Sequence, residues 1–107
     1  MSQRPAKDMD LKTFKGSLTK PDPPADLSLA LQGLWWDAKG DWDKAHECAQ
    51  ERDDREGMLL HAYLHRREGD PSNAAYWYRR CGAAPSTVAL DQEWEALVSA
   101  FLTPSTS

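Results

Sequence analysis

The chain has three histidines, His46, His61 and His65. His61 and His65 are four apart, so in a helix their imidazoles share one face. A turn near residues 53–55 would fold His46 back opposite residue 62, and all three rings could then meet between two helices. Three imidazoles and a water make a plausible zinc site with one position open for chemistry. Glu47, or an acid from a nearby turn, could orient a ring or act as base. A protein of that kind would bind a small ligand or a metal, and could be a hydrolase. The plainer reading makes the histidines core residues, hydrogen-bonded among neighbouring aromatics. The sequence has no HExxH motif, phosphate loop, dinucleotide fingerprint or calcium loop, so no cofactor is expected. Cys48 lies two residues from His46, a spacing a helix turns away from a shared face.

A second constellation is aromatic and basic. Trp36, Tyr76 and Tyr78 stand among Trp35, Trp42 and Trp77, with Arg66, Arg67, Arg79 and Arg80 close in sequence. Adjacent rings cannot all face one core, so at least one of Tyr76, Trp77 and Tyr78 is expected to meet solvent, the N-terminal arm or a partner. Exposed aromatics beside arginines are frequent binding hot spots. The competing reading covers them with the arm and with arginine stems.

These residues need helices to place them. Leu27, Leu31, Leu34, Trp35 and Ala38 form one apolar stripe, predicting a helix over 26–39 that ends at Gly40. Asp41 then caps a second helix over 42–52, with Ala45, Cys48 and Ala49 on its inner face. Asp53 and Glu56 have the spacing of a capping box for a third helix, 55–68. That helix is apolar nearly all round and should be central. Asp70-Pro71 opens a fourth, 71–81, with Ala74, Trp77, Tyr78 and Cys81 inward. Leu90, Trp94, Leu97, Val98 and Phe101 mark a fifth between 87 and 102. Residues 1–25 carry scattered apolar side chains and end in prolines. They are expected to be a flexible or loosely docked arm, with 103–107 a frayed tail.

Two turns share a pattern. Gly40-Asp41 and Gly69-Asp70 lie 29 residues apart, as do Ala45 and Ala74, and Leu34 and Tyr63. One reading is a repeated helical hairpin; the other is that two turns use the same turn chemistry. Gly40, Asp41, Ala45, Gly69, Asp70 and Ala74 resemble the tetratricopeptide-like class of helical hairpin repeats. The period of about 34 residues and the full signature of that class are missing. LWWDAKGDWDKAH and HAYLHRREGDPSNAAYWYRR also resemble a widespread family of small helical proteins of unknown function, a likeness that implies no activity. The expected fold is all-α, with about five helices in antiparallel hairpins of tetratricopeptide-like type over residues 26–102. The class implies a groove that binds a protein or peptide.

Charge narrows the partners. Residues 1–25 carry five basic and three acidic side chains, a net +2, and residues 26–107 carry eight and fourteen, a net −6. An acidic folded part lacks the basic footprint of a duplex nucleic-acid binder. No apolar run is long enough for a bilayer, and the N-terminus lacks a secretory layout, so no membrane partner and a cytoplasmic location are expected. The leading expectation is a protein or peptide interaction module, with homodimerisation as a further way to cover exposed rings.

Overall fold

A cap is built into the start of five helices. In the computed structural model, which describes residues 9–102, an acceptor side chain precedes α1 (Leu11–Gly16), α2 (Leu29–Ala38), α3 (Trp42–Gln50), α4 (Arg55–Arg67) and α5 (Pro71–Arg80). Asp10, Ser28, Asp41, Asp54 and Asp70 each accept from the backbone N–H three residues on. The sixth, α6, is Leu90–Leu102. Among the described residues the fold is an all-α globule of six helices rather than about five. The additional one is α1, continued by a 3-10 turn over Ser17–Thr19. The first eight residues of the expected arm and the expected tail at 103–107 lie outside the described residues. None of the described helices is long and apolar enough to cross a membrane.

Both Gly-Asp pairs have one geometry. Gly40 and Gly69 sit at φ +88°, a left-handed conformation that suits glycine. Gly40 N donates to Asp37 O (3.0 Å) and Asp41 N to Trp36 O (2.9 Å); Gly69 and Asp70 repeat the pattern on Arg66 and His65 (3.1 and 2.9 Å). This is the Schellman arrangement, closing the free carbonyls of one helix. The aspartate then caps the next helix, so two residues end one element and begin another. The third cap differs from expectation. Asp54, not Asp53, accepts from Gly57 N at 3.0 Å, and Asp53 lies exposed with an ion pair to Arg80 at 3.7 Å.

Helix α4 packs against α2, α3, α5 and α6. Its Leu60, Ala62, Tyr63 and Leu64 are fully buried. The main core joins Leu60, Tyr63 and Leu64 to Leu31, Leu34 and Trp35 of α2, Ala45 and Ala49 of α3, and Trp94 and Val98 of α6, while Ala62 packs with Ala74 and Tyr78 of α5. Phe14 brings α1 into that core, fully buried and 5.8 Å from the Trp94 ring. Trp35 Nε1 donates to Ser17 Oγ (3.0 Å), so the segment after α1 also satisfies the only polar atom of a buried indole side chain. Gly33 permits close approach of α2 to α3 and α4. A Cβ there would lie 2.4 Å from Leu60 Cδ2 and 3.2 Å from Ala45 O.

Two carboxylates lie inside. Asp37 on α2 accepts from the Tyr63 hydroxyl (2.8 Å) and pairs with Arg67 Nε (3.0 Å). Glu93 on α6 accepts from the Tyr78 hydroxyl (2.5 Å) and from Arg66 Nη1 (2.5 Å). Each acid thus has one tyrosine and one arginine, and both arginines come from the last turn of α4. Burial raises the Asp37 carboxyl above its usual range, opposed by its bonds to Tyr63 and Arg67.

Gly33→Ala should lower stability by about 1–2 kcal/mol in urea unfolding, because overpacking against Leu60 and Ala45 outweighs the better helix propensity of alanine. Arg66→Met should cost about 2–4 kcal/mol, since Glu93 keeps only the Tyr78 hydroxyl and stays buried with an unmatched charge. The same unfolding curves check both.

Candidate functional site

Helical spacing brings the three imidazoles together. His46 lies one turn after Trp42 on α3, and His61 and His65 lie one turn apart on α4. The ring centroids of His46 are 5.0 Å from His61 and 5.4 Å from His65, and His61 and His65 are 5.9 Å apart. Two indoles flank the cluster. Trp42 stacks on His46 at 4.7 Å and 11°, and Trp77 of α5 stacks on His61 at 4.0 Å and 9°. Trp42 is fixed in turn by its Nε1, which donates to Leu64 O at 2.9 Å. The three histidines and Trp77 line an open cleft of about 510 Å³, joined there by Gln50, Asn73 and Tyr76.

The polar atoms of the cluster are unequally satisfied. His65 Nδ1 donates to Glu68 Oε2 at 2.6 Å. His61 is 5 % exposed, and its Nδ1 is buried without a hydrogen-bond partner. Burial lowers the His61 pKa to about 4, helped by His46, His65 and Arg80. His46 is lowered in the same way, first by burial and then by His65, with Glu68 and Asp43 pulling the other way. At neutral pH both rings are therefore uncharged.

The convergence expected between the second and third helices of the sequence reading is present, at α3 and α4. Zinc loses geometric support, however. Among the described residues no group of three His, Cys, Asp or Glu side chains is arranged to hold a metal ion. Glu47 is exposed and is not part of the cleft lining. The carboxylate that meets the cluster is Glu68, three residues after His65, an i,i+3 pairing visible in the sequence once the helix is drawn. The stacking of Trp42 and Trp77 on imidazoles shows only when the helices are assembled.

The aromatic and basic candidates separate. Tyr76 is 45 % exposed, edge-on to Trp77 at 5.3 Å. Arg80 lies over both rings, 5.1 Å from Trp77 and 5.9 Å from Tyr76. Arg79 is exposed. Tyr78, expected at the binding surface, is instead buried on Glu93. Arg66 and Arg67 bind the internal acids Glu93 and Asp37. Trp36 is half-buried, edge-on to Trp35, with the Lys44 ammonium 4.1 Å above its ring. The surface part of the constellation thus contracts to Tyr76 and Arg80, at the cleft, and the exposed Arg79.

Comparison with protein-family models, with curated proteins and with solved structures gives no match.

His61 sets a pH dependence with a definite sign. Its native pKa lies below the unfolded value of about 6.5, so the unfolded chain takes up the proton first. Stability is undiminished above about pH 6.5 and falls as pH drops toward 4, by on the order of 2–3 kcal/mol from this group. Urea unfolding from pH 7.5 to 4.5 should show the decline, and His61→Leu should flatten it.

Proposed function

We propose that the protein is an interaction module that binds a protein or peptide segment at the α3–α4–α5 cleft. The observation that carries this reading is the cleft itself: a 510 Å³ opening lined by polar and aromatic side chains, among them the exposed Tyr76. Such a lining suits a segment that presents both hydrogen-bonding groups and a flat apolar surface. Imidazole, amide and phenol groups donate and accept, while Trp77 and Tyr76 offer ring surface.

The equal register of Gly40-Asp41-Ala45 and Gly69-Asp70-Ala74 supports reading α2–α3 and α4–α5 as two related hairpins of the tetratricopeptide-like kind. Ala45 and Ala74 are buried at matching positions, 0 % and 2 % exposed, each where a small side chain suits close packing of the next helix. Cys48 and Cys81 are both free thiols, which fits a reducing compartment such as the cytoplasm.

Proximity crosslinking followed by mass spectrometry tests the module. The intact chain should enrich defined partners. Tyr76→Ala and Asn73→Ala should each reduce that enrichment several-fold, while Lys12→Ala on the distant α1 should leave it unchanged. Equal enrichment by all four chains would remove the cleft from partner binding.

A further inference from the structure

We propose that the cleft takes a side-chain carboxylate of an acidic peptide segment, and that the histidines take up a proton as it docks. This rests on the reading of the cleft as a peptide site. It adds the chemistry of the group bound there.

The first support is the charge around the cleft. Residues 26–107 carry a net −6, yet among the described residues no aspartate or glutamate belongs to the cleft lining. A cation lies at its edge: Arg80 is exposed, 5.1 Å from the Trp77 ring and 5.9 Å from Tyr76. Arg80 has one acidic partner, Asp53, at 3.7 Å, and the Asp53 side chain is 89 % exposed. So exposed a pair is held weakly and is open to exchange for another carboxylate. The acidic remainder of the domain acts at longer range and is screened within about 8 Å at physiological salt.

The second support is the supply of donors. Gln50 and Asn73 bring amide N–H groups, Tyr76 a hydroxyl, and the imidazoles their ring N–H groups. A carboxylate accepts on both oxygens. The cluster already holds one such contact, Glu68 on His65 Nδ1 at 2.6 Å. Among the described residues no carboxylate is bonded to His46 or His61, and His61 Nδ1 is buried with no partner. An unmatched polar atom inside a ring cluster marks hydrogen-bonding capacity that the fold does not use.

Proton uptake follows from the neighbours. Those that bear on the two rings are Asp43 on α3, His65 and Glu68 at the end of α4, and Arg80 on α5. Burial and the other imidazoles hold His46 and His61 neutral. An arriving carboxylate supplies the opposite charge at the place where an imidazolium would form, so ligand and proton favour each other equally. Protonation turns a ring nitrogen from acceptor to donor, which improves the match to an anion.

Isothermal titration calorimetry on the full chain tests this with two capped peptides, one alternating glutamate and glycine, the other glutamine and glycine. Runs in two buffers of different ionisation enthalpy count the protons taken up. The glutamate peptide should bind with uptake of about one proton, and tighten up to about tenfold per pH unit between pH 7.5 and 6. The glutamine peptide should bind more weakly and without pH dependence. His46→Asn, at a half-buried position, should reduce the proton count while circular dichroism confirms the fold. Equal binding of both peptides with no proton uptake would overturn the inference and leave the peptide site standing. Failure of both peptides to bind at any pH would overturn both. Binding of N-acetylglutamate as tightly as the peptide would overturn the peptide as the source of the carboxylate.

Discussion

Burying a carboxylate is costly, and this fold does it twice around one helix. Asp37 and Glu93 reach α4 from α2 and α6, each two helices away in the chain, and each meets an arginine from the last turn of α4. An isolated ionised carboxylate in the interior would cost several kcal/mol, so each acid requires its tyrosine and its arginine in place together. The requirement fixes more than a contact. It sets the rotation of α4 relative to α2 and α6, because Arg66 and Arg67 are adjacent and point to different partners. Apolar packing brings the helices together, and these paired acids select one orientation of them.

That orientation decides what α4 presents elsewhere. Successive residues of a helix turn by about 100°, so a step of two turns by about 200°. Tyr63 and Arg67 face Asp37, and His61 and His65 therefore face nearly the other way, toward α3 and α5. The histidine cluster is thus coupled to the acid pairs through a rigid element rather than by contact. Its rings are held by stacking and burial, and burial favours the neutral form of His46 and His61. The stacked indoles restrict ring orientation and leave the ring nitrogens as the polar atoms of an otherwise aromatic cluster.

Much of this was legible in the sequence. The two Gly-Asp turns, the Asp-Pro start of α5 and the apolar surface of α4 follow from local chemistry that tertiary packing does not override. The meeting of His46 with His61 and His65 followed from two helices and one turn. Other features required the assembled structure. Asp54 caps α4 where the spacing favoured Asp53, since both aspartates fit the cap pattern and the sequence does not rank them. Leu11, Phe14 and Leu18 are spaced three and four apart, but only the assembled core, where Phe14 lies 5.8 Å from Trp94, shows that Phe14 belongs to it. Arg66 and Arg67 read as surface groups because charged side chains usually are, whereas Tyr78 falls both on the inward face of its helix and among the binding-surface candidates. A buried acid on another helix reverses that reading, and no local pattern in the chain announces Asp37 or Glu93 as buried.

The division of labour on α4 explains why the candidate site is small and lies to one side. A helix packed by four neighbours has little surface left, and the acid pairs take up the polar capacity of its last turn on one flank. His61 and His65 supply its remaining polar groups in the same two turns, and they abut the short α3 and α5 rather than the longer α6. Both short helices begin at Gly-Asp turns, whose caps hold their first turns without help from the core. They can therefore carry Trp42, His46, Tyr76 and Trp77 toward the cleft while contributing few large residues to the interior. The polar and aromatic character of the site is tolerable because the fold does not depend on it for its apolar core.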